Sequence, residues 1–182
     1  ALSPVYDAAE YALRTAVTVD GRINADAFDD HQFAAHGFAW FTTYVTALGQ
    51  MKAWASRLKD QDKFGTLEHL ILQSAFGEYL AQIIGGIPMS QGEIIRLSTL
   101  GVADNLIASL AANPSVATLA QYGNSDAARR AIATEIEDSL DTGRFGETGL
   151  EDKTLDMVRD QFRRFVEEKV SPHAMAGMNA MN

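Results

Sequence analysis

FGEYLAQIIGGIPMSQGEIIR, the sequence of residues 76–96, contains only three charged side chains, which are Glu78, Glu93 and Arg96. Apolar residues in its first half occur on every face of the helical turn instead of on one stripe. Such a helix has to be enclosed by other elements, because no face of it is polar enough to remain in water. The stretch therefore predicts a central helix, surrounded by the other helices of a bundle.

The double glycine at Gly85 and Gly86 predicts where this central helix ends. Glycine readily adopts the open or left-handed backbone that terminates a helix, and Pro88 prevents the helix from resuming. Ser90 and Glu93 then have the spacing of a capping box, which marks the start of a helix. We expect a short new helix to begin there and to turn back along the core.

The composition restricts the class of protein. With 182 residues, 47% of them hydrophobic, the chain is long enough for one domain with a core, with or without an appendage. The formal charge of -9 argues against a nucleic-acid surface, which requires clustered Lys and Arg.

The sequence contains no apolar run of about 18 residues, so we predict no membrane span. No signal peptide is evident. The sequence has no cysteine, which excludes disulfides and thiolate chemistry and is consistent with a reducing compartment. We expect a cytoplasmic protein that binds neither nucleic acid nor membranes.

Helix formers dominate the chain, and no run of alternating β-branched residues predicts a persuasive strand. We therefore predict an all-α fold, a bundle of five or six helices followed by one more amphipathic helix. The longest helix is expected over 25–59, where apolar residues alternate steps of four and three and are interpreted as buried core. These residues are Phe33, Gly37, Trp40, Tyr44, Ala47, Met51, Trp54 and Leu58. Other helices are expected over 4–19, over 66–84 with Thr66 as its cap, near 100–112, from Pro114 with Asn113 as its cap, and from Ser125 or Asn124.

Three glycines between positions 143 and 149 predict a boundary in the chain. We expect a helical bundle over 1–141, a Gly-rich linker over 142–149, an amphipathic helix over 150–172 and a loose tail over 173–182. Thr148 and Glu151 match a capping box that would open the amphipathic helix, and Pro172 would end it.

The apolar edge of this last helix includes Phe162, Phe165 and Val166. In isolation the edge would be exposed, and exposed apolar patches of this kind usually mark contact surfaces. We predict an interface there, formed by dimerisation or by an exchange of helices between copies.

Few residues suggest chemistry. His31 and His36 are five positions apart and do not share a helix face, and no Glu-x-x-His pair of the di-iron type occurs, so we expect no metal site. Glu78 lies among apolar neighbours, and burial would raise the pKa of its carboxyl group. Glu78 and Arg96 are therefore candidates for a buried polar or anion-binding site. Each also has a structural interpretation, as a hydrogen-bonded acid and as a partner of loop carbonyls or of Glu93. No nucleophile elbow, phosphate loop or dinucleotide-binding turn is present, and no catalytic residue is predicted.

Two segments resemble the acyl-CoA dehydrogenase family. Residues 161–174, QFRRFVEEKVSPHA, are similar to the amphipathic helix that precedes the flavin-binding body of that family. Residues 81–96, AQIIGGIPMSQGEIIR, are similar to its C-terminal helical domain. Residues 35–40, AHGFAW, and 85–91, GGIPMSQ, resemble an N-terminal helical extension found in methylsuccinyl-CoA dehydrogenase-like flavoproteins of the family.

The resemblance covers about residues 25–174 and implies a bundle like the family's C-terminal four-helix domain. The parent activity that it implies is FAD-dependent α,β-dehydrogenation of an acyl-CoA thioester. It also implies contacts of Gln82, Gly85 and Gly86 with a flavin nucleotide, although residues 87–89 differ from the usual continuation. The family's β-barrel, acyl-CoA cleft and catalytic glutamate have no counterpart here. We therefore expect that this chain alone binds no FAD and is inactive. Its expected role is to pack against a dehydrogenase core or to form contacts between subunits of an oligomer.

A second hypothesis stays open from the residues alone. The chain could be an independent helical module that binds a small ligand or a protein partner. A functional flavoprotein fragment is a third hypothesis, which a colourless protein without added absorbance near 450 nm in the presence of FAD would refute.

Overall fold

Helices form most of the regular structure in the computed structural model of the protein, which describes residues 1–142 and 146–174. The elements in chain order are α1 (Ser3–Val17), β1 (Thr18–Val19), β2 (Arg22–Ile23), α2 (Ala25–Asp30), α3 (Gln32–Asp60), α4 (Thr66–Gly85), β3 (Ile87–Pro88), β4 (Ile94–Ile95), α5 (Asp104–Ala112), α6 (Pro114–Tyr122), α7 (Asp126–Glu137) and α8 (Lys153–Phe165). A 3-10 turn (Leu140–Thr142) follows α7, and a π turn (Val166–Val170) follows α8. The predicted all-α fold is confirmed.

The chain divides into two compact units, Ala1–Thr148 and a second unit that begins at Gly149. The first unit contains α1–α7 and two small antiparallel hairpins, and the second contains α8 with its π turn. Residues 143–145 of the predicted linker and 175–182 of the predicted tail lie outside the described residues.

The central helix of the first unit is α4. It packs against α3, α5, α6 and α7, and every residue over 70–80 is at least partly buried. The enclosure predicted from its apolar composition is therefore confirmed. The predicted Thr66 cap is wrong, because Gly65 is the N-cap and its backbone N–H donates to the Glu68 carboxylate at 3.0 Å. A carboxylate in the first turn also interacts favourably with the positive end of the helix dipole.

The segment after α4 forms a hairpin in place of the predicted short helix. Gly86 ends α4 with φ 128°, a conformation that favours glycine, and thus confirms the predicted helix end. β3 then pairs with β4, with Ile87 opposite Ile95. Both isoleucines are 1% exposed, so each short strand places one large side chain in the core. Glu93 is not the partner of a helix cap, because its side chain accepts from the Ser90 hydroxyl within the hairpin loop.

The predicted helix over 25–59 is interrupted at His31, which separates α2 from α3. Asn24 caps α2 by accepting from the Ala27 N–H at 2.9 Å, and the His31 backbone is not helical. The fully buried side of α3 also differs from the predicted stripe. It consists of Gly37, Phe41, Tyr44, Leu48, Ala55 and Leu58, whereas Phe33 is exposed and Trp40, Ala47, Met51 and Trp54 are only partly buried.

Two glycines allow α4 to cross the corner between α6 and α7 at backbone contact. A Cβ atom on Gly77 would lie 2.6 Å from the Asn124 backbone nitrogen and 2.7 Å from the Gly123 Cα. The side chains of Gln73 and Ser74 donate to the Gly123 carbonyl, both at 3.3 Å. The crossing therefore places residue 124 directly beside the centre of α4.

The predicted restarts at α6 and α7 are confirmed. The Asn113 side chain accepts from the Val116 N–H, with Pro114 in the first turn, and Ser125 accepts from the Ala128 N–H. Small polar side chains at these positions satisfy backbone donors that a helix start leaves unpaired.

The bounds of the last helix differ from the prediction. Asp152, not Thr148, is the N-cap of α8, and its carboxylate accepts from the Thr154 and Leu155 N–H groups. Pro172 does not end the helical backbone, which continues through 171–174 after the π turn. A π turn widens the backbone locally, which relieves the clash that proline causes in a regular α-helix.

Candidate functional site

Side chains of α3 and α4 line an open groove with a volume of about 620 Å³. The α3 residues recur at helical spacing on one side of that helix, and the α4 residues face them. The lining consists of Ala47, Gln50, Met51, Trp54 and Arg57 from α3, and Ala75, Glu78 and Tyr79 from α4. Three members of the predicted core stripe therefore border a surface groove, since the fully buried side of α3 is turned away from it.

Glu78 is the carboxylate of this groove, and both of its oxygens accept hydrogen bonds. Gln82 Nε2 donates to Oε1 at 2.6 Å, and Asn124 Nδ2 donates to Oε2 at 2.7 Å. These bonds, first from Asn124 and then from Gln82, hold the pKa of Glu78 below its ordinary value. Burial acts in the opposite direction, and the Arg129 guanidinium adds to the lowering.

The expected rise in the pKa of Glu78 is therefore wrong. Hydrogen bonds to the charged form outweigh the desolvation of a side chain that is only partly buried. Glu78 is an ionised acid at neutral pH and a weak proton acceptor, which makes it suited to holding a cation or neighbouring donors rather than to acting as a general base.

The hydrogen bonds around Glu78 continue through neighbouring side chains. Tyr44 donates its hydroxyl to Gln82 Oε1 at 2.5 Å, and Arg129 Nε donates to Asn124 Oδ1 at 3.0 Å. The pKa of Tyr44 is raised, mainly by burial and further by Tyr79 and Glu78, so its hydroxyl keeps the proton that it donates. The resulting chain, which we call the relay, runs in the order Tyr44, Gln82, Glu78, Asn124 and Arg129.

The three residues for which the resemblance implies flavin contacts have different surroundings. Gln82 is a member of the relay, so both ends of its amide already bind protein side chains. Gly85 is exposed, and a Cβ there would have no neighbour within 4 Å. Gly86 is covered by the hairpin, since a Cβ there would lie 2.5 Å from Ile94 Cγ2. Flavin contact at these residues stays a prediction.

Arg96, paired with Glu78 in the sequence-based prediction, lies on the surface just after β4. Its side chain makes no hydrogen bond or ion pair with another residue that the structure describes. Its backbone carbonyl accepts from the Thr99 and Leu100 N–H groups. A site built from Glu78 and Arg96 together therefore has no supporting contact and stays a prediction.

The histidines have local roles. His31 Nδ1 bonds the Ala27 carbonyl at 2.8 Å, and His36 Nε2 accepts from the Trp40 indole at 3.1 Å. Over 1–142 and 146–174, no group of three or more His, Asp or Glu side chains could hold a metal ion. Within the same residues, no helix combines the length and apolar character that crossing a membrane would require.

The predicted interface residues of the second unit are accessible in the described structure. Phe162 is 67% exposed, and Phe165 and Val166 lie on the same exposed apolar edge of α8 and its π turn. Leu155, Met157, Val158 and Val170 extend the exposed apolar surface. Their exposure agrees with the predicted edge, while the interface itself stays a prediction.

Sequence reasoning missed most of the relay. The spacing of four between Glu78 and Gln82 could have indicated their bond, since such residues are neighbours on a helix. Nothing in the sequence links Asn124 to Glu78, because the bond depends on the crossing at Gly77 and Gly123.

No family model matches the chain. A (2S)-methylsuccinyl-CoA dehydrogenase from Cereibacter sphaeroides is 46% identical to it over 172 residues, which are 93% of this chain. The match covers 30% of the relative, so the chain spans less than a third of that protein's length and corresponds to a partial region of such an enzyme. The predicted resemblance to the acyl-CoA dehydrogenase family is therefore confirmed, and it extends over nearly the whole chain.

Proposed function

We propose that this chain forms a non-catalytic helical region of an FAD-dependent acyl-CoA dehydrogenase. The parent reaction is α,β-dehydrogenation of an acyl-CoA thioester, in the cytoplasm. The chain's own role is to pack against the dehydrogenase core or to make contacts between subunits of a homo-oligomer. The observation that carries this proposal is the 46% identity over 93% of the chain to a relative that is more than three times as long.

The chemistry of the described residues supports a non-catalytic role. The groove contains one carboxylate, Glu78, whose lowered pKa makes it a poor base for removing a proton from a thioester's α carbon. The residues with implied flavin contacts do not form a cradle by themselves, since Gln82 is engaged in the relay and Gly86 faces Ile94. We therefore expect FAD to bind the parent enzyme and not this chain alone.

The second unit supports a role in contacts. The edge around Phe162 presents large apolar side chains to solvent on a helix whose other face is charged. An amphipathic helix gains stability by burying such a face against another element. The dehydrogenase core, or a second copy of the chain, would supply that element.

A chimera tests this proposal. The matching region of the Cereibacter sphaeroides relative is replaced by this chain, and a deletion of the same region serves as the control. We expect the chimera to be soluble, to bind FAD with its absorbance near 450 nm, and to dehydrogenate its acyl-CoA substrate. The deletion should lose soluble flavoprotein or its oligomeric state.

Two results would contradict the proposal. A deletion protein with the oligomeric state and activity of the complete relative would show that the region serves neither packing nor assembly. Binding of FAD and oxidation of an acyl-CoA by the purified 182-residue chain alone would show that the chain is catalytic.

The groove between α3 and α4 favours an alternative, a stand-alone module that binds a small ligand or a protein partner. Trp54 lines the groove, so a ligand there would change tryptophan fluorescence. The reading frame of the gene separates the two proposals. A dehydrogenase sequence in the same frame supports the first, and a natural stop codon near Asn182 supports the second.

A further inference from the structure

The backbone of Glu147 is held by side chains from two helices. Its N–H donates to Glu68 Oε1 of α4 at 2.9 Å, and its carbonyl accepts from Trp54 Nε1 of α3 at 2.8 Å. Both polar groups of one residue outside regular secondary structure are thus fixed by distant parts of the chain. We call residues 146–147 the strap.

Glu68 has the surroundings of a specific anchor. The residue is only 6% exposed and is the one charged residue in the buried set of the described structure. Its second oxygen, Oε2, accepts from the Gly65 N–H. A buried carboxylate is costly unless donors surround it, and the strap supplies one of the two backbone donors found here.

Gly146 sets the backbone conformation of the strap. Its φ of +92° lies in the range that favours glycine, and a Cβ at this position would lie 3.4 Å from Glu68 Oε1. This backbone turn brings the following N–H to the carboxylate. The glycine, the buried acid and the indole therefore form one arrangement, drawn from three separate parts of the sequence.

We propose that the strap is a latch that fixes where the polypeptide leaves the helical bundle. The strap is followed by Thr148, the last residue of the first compact unit, and the second unit begins at Gly149. With both bonds formed, residue 147 is tied to α3 and α4, and loss of either bond loosens the strap from one of these helices. Trp54 also borders the groove, so the closed latch holds one side chain of the groove in place.

Amide hydrogen exchange in the complete chain, resolved by NMR, tests the latch. Glu68→Gln retains the size of the side chain but removes its charge and one acceptor, and should accelerate exchange of the Glu147 amide about tenfold or more. Trp54→Phe removes the indole donor and should accelerate the same amide about three- to tenfold. Exchange at Leu80, in the middle of α4, should stay unchanged in both variants.

Trp40→Phe is the matched control. Trp40 lies on the same helix and also donates its indole N–H, but to His36 within α3. This variant should leave Glu147 exchange unchanged. An equal acceleration in this control would overturn the latch, because the effect would then be a general one of losing a tryptophan.

Two further outcomes decide the proposal. Unchanged Glu147 exchange in both Glu68→Gln and Trp54→Phe overturns it, including the case in which only the Gly65 amide accelerates and Glu68 acts solely as a helix cap. If Glu68→Gln fails to fold, Trp54→Phe alone decides, since it leaves the buried acid intact.

Discussion

Gly77→Ala should destabilise the first unit, although alanine is the better helix former. The exchange of glycine for alanine within a helix ordinarily gains about 0.5–1 kcal/mol. At this position the new Cβ would meet the Asn124 nitrogen at 2.6 Å, so α4 and the α6–α7 corner must separate by about 0.8 Å to reach ordinary contact. Both neighbours are backbone atoms, and overpacking of this kind costs about 1–3 kcal/mol or more. We expect a net loss of about 1–2 kcal/mol, which lowers the Tm by about 2–8 °C for a chain of this size.

Gly49→Ala is the matched control for this prediction. Gly49 also lies within a long helix, but it is exposed and a Cβ there would have no neighbour within 4 Å. It should show only the propensity gain of about 0.5–1 kcal/mol. Urea unfolding followed by tryptophan fluorescence measures both variants, because both tryptophans lie in α3 and report on the first unit alone. A Gly77→Ala protein as stable as Gly49→Ala would refute the backbone crossing.

Three further predictions concern other parts of the structure. Gly86→Val should lower the free energy of unfolding by about 1–3 kcal/mol, because residue 86 has a positive φ. Gly85→Ala, its control, should change the Tm little. Equal Tm values for the two variants would count against the glycine turn that ends α4. Asn124→Ala removes the main cause of the lowered pKa of Glu78, so an NMR titration should show that pKa rising. The stability that the lowered pKa contributes is present above the unfolded-state pKa of a glutamate and is lost as pH falls through the folded-state value, so the variant should differ from wild type more at pH 7 than in acid. Phe162→Glu should abolish self-association in sedimentation experiments, and a wild-type chain that stays monomeric at all concentrations would contradict the predicted interface.

Much of the fold could be predicted because it depends on local sequence. The enclosed α4, the glycine end at Gly86 and the caps at Asn113 and Ser125 each follow from residue types within a few positions. The hairpin after α4 could not be predicted in the same way. Ser90 and Glu93 have a spacing that also occurs at helix starts. The hairpin forms instead of a helix because it buries Ile87 and Ile95 against the bundle. Tertiary packing of this kind commonly overrides short local signals.

The candidate site was predictable only in its composition. Glu78 could be selected as an unusual acid in an apolar stretch, but the direction of its pKa depended on Asn124, which is 46 positions away. The importance of Glu68 likewise depends on a backbone group 79 positions away. Sequence periodicity describes one helix at a time, and these contacts arise only where separate helices meet.

The relay has a consequence for how closely the helices are held in register. Apolar contacts have no preferred direction, so α3 and the α6–α7 corner could slide along α4 by one turn, about 5.4 Å, and still bury apolar surface. Two bonds of the relay join separate elements, Tyr44 to Gln82 at 2.5 Å and Asn124 to Glu78 at 2.7 Å, and both would break in such a slide. Glu78 would then lose its Asn124 donor. We infer that these polar contacts select one register of the helices. The apolar core provides the bulk of the stability, and the polar contacts make one alignment of the bundle unique.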